Sequence, residues 1–243
     1  MEFIFPEWPA PAAIKAAITT RYGGVSEGDF ASLNLAAHVG DDPQAVQENR
    51  RRLAGALDLI QPLGWMSQVH GIRVVDAGQS VTSQEADAVY TDRPDRICAV
   101  LTADCLPLLV CDRQGKEVAA IHAGWRGLAA GVIEASLQRF QALPDDLLVW
   151  LGPAIGPEVF EIGQEVYDIF VQQHQAAASC FSPTRPGHYL ADLYALARLR
   201  LALQGVNQVY GGGFCTYTQA DQFFSYRRSP VTGRMASLIW ISA

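Results

Sequence analysis

Two histidines and one cysteine sit where a folded chain can bring them together. His70 lies in Ser67-Gln68-Val69-His70-Gly71, Cys105 in Thr102-Ala103-Asp104-Cys105-Leu106-Pro107, and His122 in Ile121-His122-Ala123-Gly124-Trp125-Arg126-Gly127. Each segment reads as an apolar strand running into a turn of small residues. Imidazole nitrogen and thiolate sulfur both bind zinc. A catalytic zinc takes three protein ligands, keeps a fourth position for water, and lowers that water's pKa toward neutrality. The ligands stand 35 and 17 residues apart, which are not zinc-finger intervals, so a closed structural site is not expected. The soft thiolate also admits copper, which leaves the metal open. A metal-free alternative uses Cys105 as nucleophile and His122 as its base. A lone histidine is more often a hydrogen-bonded structural residue, and a lone cysteine an inert core thiol. What sets these three apart from His38, His174 and His188 is their shared place at glycine- or proline-bounded strand ends.

Other groups could serve the same site. Gly124 to Gly127 precede a helix, where free N–H groups and Arg126 could hold a phosphate or an oxyanion; a plain tight turn is the competing reading. Asp104 could be a general base, a partner to a ligand histidine, or a turn cap. Arg50, on a helix face, could bind an anion or lie at the surface. Tyr226-Arg227-Arg228, after two phenylalanines, could form an aromatic floor with a cationic rim, or one solvated side of a strand pair. Asp87 and Glu161 are acids to which no partner is assigned.

The elements that must position these groups follow from pattern. Strands are expected over Ala16–Thr20, Ser32–Leu35, Ile97–Leu101, Leu106–Cys111, Val118–Ile121, Leu147–Leu151, Val206–Tyr210 and Ser237–Ile241. Those over 97–101, 106–111 and 118–121 should be buried on both faces. Trp65–Val69 and Val74–Val75 look like hairpin arms around Gly71. Thr232-Gly233-Arg234 looks like a turn joining Phe223–Tyr226 to the last strand. Helices are expected from Pro43, capped by Asp42 and buried through Val46, Leu53, Ala54 and Leu57; over Gly127–Phe140; over Gly163–Gln173; and from Asp192 through Leu203, ended by Gly205. Residues 152–157 hold two prolines and two glycines and read as a stiff loop. Strands outnumber helices and the two are mixed, which points to an α/β core with helices packed outside.

The chain has 243 residues, about half of them apolar and under a fifth charged, with no linker or repeat, so residues 1–243 read as one domain. A net charge of −7 with one basic run, Arg50-Arg51-Arg52, argues against nucleic acid as a partner. No stretch reaches the roughly 18 apolar residues of a membrane span, and an acid at position 2 replaces the basic start of a signal peptide. A cytoplasmic protein is expected, with all five cysteines reduced, since the count is odd and no Cys-x-x-Cys pair occurs.

Taken together, the blocks resemble the laccase-domain family, also called the polyphenol-oxidase-like or multicopper polyphenol oxidoreductase family, which includes the bacterial peptidoglycan editing factor. The resemblance runs almost the full length. It covers Thr19–Ser26, Ser32–Leu35, His38–Asp42, Asn49-Arg50, Ser67–Gly71, Thr102–Pro107, His122–Gly127, Leu151–Pro157, Cys215–Tyr217, Phe223–Arg228 and Thr232–Ala236. It implies a layered sandwich of mixed sheets flanked by helices, similar to the catalytic domain of cytotoxic necrotizing factors. It also implies zinc, with copper as the alternative, at His70, Cys105 and His122. The activity it implies is phosphorolysis of adenosine, inosine, guanosine or methylthioadenosine, with deamination of adenosine. Arg50, Cys105 and His122 are then the candidate catalytic residues. Asn34, Arg126 and Arg227 are the candidates for substrate and phosphate binding. The partners would be a purine nucleoside and phosphate, with no nucleic acid or membrane, in a monomer or weak homo-oligomer. Two alternatives stay open: a Cys/His hydrolase that edits a peptidoglycan precursor, and a copper polyphenol oxidase. The second meets a residue count, because five histidines cannot supply a blue-copper site plus a three-copper cluster.

Overall fold

The computed structural model describes residues 1–77, 81–94 and 96–242. Its strands are β1 (Phe3–Ile4), β2 (Ile14–Thr19), β3 (Val74–Asp76), β4 (Ala88–Thr91), β5 (Ile97–Thr102), β6 (Leu106–Asp112), β7 (Val118–Ala123), β8 (Leu147–Leu151), β9 (Glu161–Gly163), β10 (Phe181–Arg185), β11 (His188–Ala191), β12 (Gln208–Gly211) and β13 (Met235–Ile241). The α-helices are α1 (Pro43–Ala56), α2 (Trp125–Ala130), α3 (Val132–Leu137), α4 (Gln164–Gln173) and α5 (Leu193–Leu203). Three sheets form, ordered β1-β2-β13-β5, β12-β8-β6-β7-β4-β3 and β10-β11-β9. The six-stranded sheet is mixed, antiparallel in its centre and parallel at its two outer pairs, β12 with β8 and β3 with β4.

Side-chain alternation along the central strands builds the layers. Ile18, Cys98, Val100 and Ile239 of the four-stranded sheet pack against Leu109, Val118, Ala120 and Leu148 of the six-stranded one. On the outer side of the six-stranded sheet, Leu108, Val110 and Ile121 meet Leu128, Val132 and Leu201 of the helices. On the outer side of the four-stranded sheet, Ala99, Leu101 and Leu238 meet Leu53 of α1 and Leu33 and Leu35. The order is helix, sheet, sheet, helices, so a mixed α/β architecture of layered sheets is what the chain adopts. Continuous burial of β5, β6 and β7 follows, since each has a layer on both faces. Among the described residues no helix is long and apolar enough to cross a membrane.

Four local expectations need correction. Residues 32–35 are irregular, because side chains take the backbone groups a ladder would use. Asn49 Nδ2 donates to the carbonyls of Ser32 and Asn34, and the Asn34 amide pairs with both backbone groups of Ala36. The arms around Gly71 do not pair with each other. Ser67 bridges Glu85 and β3 pairs in parallel with β4, so both arms use the 85–91 segment, which the sequence pattern did not mark as a strand. The helix expected over Gly127–Phe140 is two short helices separated at Gly131, whose φ of +104° breaks the ladder. Phe223–Tyr226 forms no strand. Arg228 lies under this loop and donates to the carbonyls of Thr216, Tyr217 and Phe223. Asp42 does cap α1, accepting from Gln44 N at 3.0 Å. Asp192 caps α5 by accepting from Ala195 N.

Candidate active site

The site begins where the chain crosses from one sheet to the other. β5 ends at Thr102 in the four-stranded sheet, β6 starts at Leu106 in the six-stranded one, and Ala103-Asp104-Cys105 makes the passage. Asp104 sits at φ +86°. Its carboxylate accepts from Thr216 Oγ1 and from Arg227 N, both at 2.6 Å, and its carbonyl accepts from Ile155 N. These bonds fix the turn and so fix Cys105. Asp104 is therefore the turn cap among its three sequence readings. His122 is the next-to-last residue of β7, opposite Pro107, on the same side of the strand as Val118 and Ala120 and so toward the other sheet. His70 precedes β3 with φ +60°, a conformation that needs outside support in a non-glycine residue.

The support comes from Asp87, which is fully buried just ahead of β4. One carboxylate oxygen accepts from His70 N at 2.9 Å and His122 Nδ1 at 2.8 Å. The other accepts from Gly71 N at 2.7 Å and Val69 N at 3.2 Å. Burial by itself would raise the Asp87 pKa, but these bonds and the imidazole hold it below the ordinary value.

The three ligand atoms lie within 4.8 Å of one another. Cys105 Sγ stands 3.7 Å from His70 Nε2, and the imidazole centroids are 4.8 Å apart at 70°. Bonds of about 2.0 and 2.3 Å to a tetrahedral ion would put a nitrogen and a sulfur ligand roughly 3.5 Å apart, so this donor set fits one soft or borderline divalent metal. Gly124 adds a second fit. A Cβ there would stand 3.0 Å from Cys105 Sγ and 3.2 Å from His70 Nε2, so the missing side chain is what lets the ligands close up. Burial alone pushes the Cys105 thiol up, but His122 and His70 outweigh it and bring the pKa down to about 6. Burial alone lowers His122, but the Cys105 thiolate and Asp87 raise it to about 9.

A thiolate–imidazolium pair in metal-free protein is the consequence. Cys105 is depressed, so its stabilising contribution is complete above the unfolded thiol value and is lost as pH falls through about 6. His122 is raised, so its contribution is complete below the unfolded imidazole value and is lost as pH rises through about 9. Alkylation of Cys105 by iodoacetamide in chelator-treated protein is expected to inflect near pH 6. An inflection at the ordinary thiol value of about 8.5 would contradict the pairing.

The ligands open into a cavity of about 460 Å³. Arg126, Arg227 and Arg234 line it, each stacked on an aromatic ring: Trp125 at 4.3 Å, Phe160 at 5.3 Å and Tyr226 at 5.8 Å. Among the described residues none of the three has a carboxylate within ion-pair distance. Leu101, Ile155, Phe160 and Leu193 give the same cavity an apolar part. His38 lines it too, and burial, Arg234 and Arg50 keep its pKa low.

The residues singled out in the sequence divide accordingly. His70, Cys105, His122, Arg126 and Arg227 share the cavity. Arg50 does not line it: its Nε donates to Leu35 O at 2.9 Å and its guanidinium stacks on Trp65 at 4.4 Å. Asn34 is fully buried outside it, where Oδ1 accepts from Arg234 N and Nδ2 donates to Asp41 and Ala36. Arg228 turns into its loop. Sequence reasoning gave no role to Asp87, Arg234 or His38. Two of them lie inside blocks quoted for the resemblance, but only the fold turns them to the cavity. All five cysteines are unpaired.

The profile of the family described as multi-copper polyphenol oxidoreductase laccase matches residues 15–242. A protein of Pseudomonas aeruginosa named purine nucleoside phosphorylase is 55% identical over 98% of each chain. The purine nucleoside phosphorylase YfiH of Escherichia coli is 51% identical over 99% of each. Among solved structures, a protein of Neisseria meningitidis superposes with a TM-score of 0.97 at 49% identity over all of both chains, and YlmD from Geobacillus stearothermophilus with 0.87 at 33%, again over all of both. Sequence, fold and full-length coverage agree: the chain belongs to the multi-copper polyphenol oxidoreductase laccase family.

Proposed function

We propose that this cavity carries out phosphorolysis of purine nucleosides, with deamination of adenosine as a second reaction, using one zinc ion held by His70, Cys105 and His122. The observation that carries the proposal is the convergence of these three ligands on a cavity whose arginines have no carboxylate within ion-pair distance among the described residues. The names of the relatives at 55% and 51% identity, purine nucleoside phosphorylase in both cases, support the phosphorolysis. A zinc ion so held supplies Lewis-acid polarisation and activation of water. The protein's own groups do the rest. Arg126 and Arg227 hold phosphate beside C1′ of the ribose. The phosphate oxygen forms the new bond to C1′ as the C1′–N9 bond breaks, and the purine leaves with that electron pair. The cationic wall stabilises the charge that develops. Ile155, Phe160 and Leu193 exclude water around the base. Arg50 and Asn34 act at one remove, by holding Leu35 and Arg234.

The test is release of purine base and ribose 1-phosphate from adenosine, inosine, guanosine and methylthioadenosine, with and without phosphate, alongside conversion of adenosine to inosine. Zinc-loaded protein that releases no base overturns the proposal. Arg227→Gln is expected to raise the KM for phosphate about 10- to 100-fold, the size of a lost charge-assisted hydrogen bond, while kcat moves less. Initial rates at saturating nucleoside check this, and an unchanged phosphate KM would remove Arg227 from the phosphate site.

One observation favours a second reading. Cys105, His122 and Asp87 form a thiolate, imidazole and carboxylate in series, as a cysteine hydrolase requires. Amide hydrolysis of a peptidoglycan precursor that survives chelators and stops on Cys105 alkylation would establish it in place of the metal enzyme.

A further inference from the structure

We infer that Asp87 is the positioning residue that presents both imidazoles to the metal. It does so by fixing the tautomer of His122 and the backbone of His70 through one carboxylate. The inference rests on the metal reading above and extends it to a residue that binds neither metal nor substrate.

Asp87 lies 17 residues from His70 and 35 from His122, yet touches both. Its bond to His122 Nδ1 keeps a proton there and turns Nε2 toward the Cys105 sulfur, so that Nε2 is the nitrogen that would give up its proton to a metal. Its bonds to the N–H groups of Val69, His70 and Gly71 gather three successive donors around one anion and hold His70 at φ +60°. The backbone repeats the link, since Asp87 O accepts from His122 N at 2.7 Å and Asp87 N donates to Arg73 O at 3.0 Å. Two ligands from separate segments therefore share one reference point. Cys105 has its own anchor in the Asp104 turn.

An amide in place of the carboxylate cannot serve both sides. Asp87 accepts four N–H groups, whereas asparagine has one acceptor oxygen and one NH2 donor. If the oxygen faces His122 and His70, the NH2 meets the N–H groups of Val69 and Gly71, and the loop carrying His70 loses its hold. If the amide flips, the NH2 faces His122 Nδ1. The imidazole proton must then move to Nε2, the nitrogen meant for the metal. Either outcome weakens zinc binding, by the 10- to 100-fold typical of lost partners to metal ligands.

The experiment measures zinc affinity of wild type and Asp87→Asn by competition with a chromophoric chelator. Nitrogen NMR of the ring atoms of His122 is recorded on zinc-loaded wild type. A loss of about 10- to 100-fold, with wild-type His122 protonated at Nδ1 and coordinated through Nε2, is the expected result. Affinity within about threefold of wild type, below that range, overturns the inference, as does coordination through Nδ1. If Asp87→Asn does not fold, the wild-type spectrum decides alone. Wild type that binds no zinc overturns the metal reading and this inference with it. Tight wild-type binding with an unaffected variant overturns this inference only.

Discussion

Cys105→Ala protein is expected to purify without stoichiometric metal and to lose nucleoside phosphorolysis by about a thousandfold, or about 4 kcal/mol of transition-state stabilisation. The thiolate is the one anionic ligand of the three, and without it two imidazoles remain, one of them exposed. Folding is expected to survive. The turn that carries residue 105 is held by Asp104 through Thr216, Arg227 and Ile155, and none of those bonds uses the sulfur. Metal analysis and the phosphate-dependent assay, run on the same preparation beside an unfolding curve, check the expectation. A variant that keeps one metal per chain, or that keeps its rate, would show that Cys105 is not a ligand.

Gly124→Ala is expected to have the second largest effect, and to separate function from stability. Gly124 has φ −62° and ψ 155°, a conformation alanine adopts freely, so the backbone is not strained. A Gly→Ala change at such a position usually stabilises by about 0.4–1 kcal/mol through the unfolded chain. The added Cβ, however, would meet His70 Cδ2 at 2.6 Å and Cys105 Sγ at 3.0 Å. Since the Cys105 turn is pinned and His70 is exposed, the imidazole is the group that moves. Misplacing a reacting or binding group by about 1 Å costs on the order of a hundredfold. We expect activity to fall by about that factor, and zinc affinity at least about tenfold, with an unfolding midpoint no lower than wild type. Calorimetry of the metal-free protein with a zinc titration checks both halves. Normal zinc affinity would mean that the close approach at Gly124 is not what shapes the site.

Particular residues show why part of this was legible in the sequence. Ile97–Leu101, Leu106–Cys111 and Val118–Ile121 announce themselves as buried strands because each has a layer on both sides, so no polar residue interrupts them. Cys105 and His122 were readable for a related reason, since each stands beside the end of such a run at the rim of the core. His70 instead follows an irregular, largely exposed segment, and the strand expected before it is only a single bridge at Ser67. β4 was not readable, because it is only four residues long, ends in Tyr90 and Thr91, and follows the acid Asp87, although all three of these residues are buried. The loops at 32–35 and 223–226 mimic strands because Leu33, Asn34, Leu35, Phe223, Phe224 and Ser225 are buried too. Their backbone groups are met by side chains: Asn49 reaches 32–35 from α1, and Arg228 turns back to Phe223 while also holding Thr216 and Tyr217, a use of these residues that no periodic pattern reveals. Asp87 was hidden in the same way. Its importance lies in four hydrogen bonds to residues 16 to 35 positions away. Arg50 shows a different case: its place on a helix face leaves anion binding and a surface position equally open, the resemblance alone implies its catalytic role, and the fold sets it against Trp65 and Leu35.

X-ray absorption at the zinc edge of the purified wild-type protein bears most directly on the claim that His70, Cys105 and His122 hold one ion. The account predicts one zinc per chain with a single sulfur neighbour at about 2.3 Å and two imidazole nitrogens at about 2.0 Å. A first shell of nitrogen and oxygen alone, or protein that takes up no zinc, would contradict it.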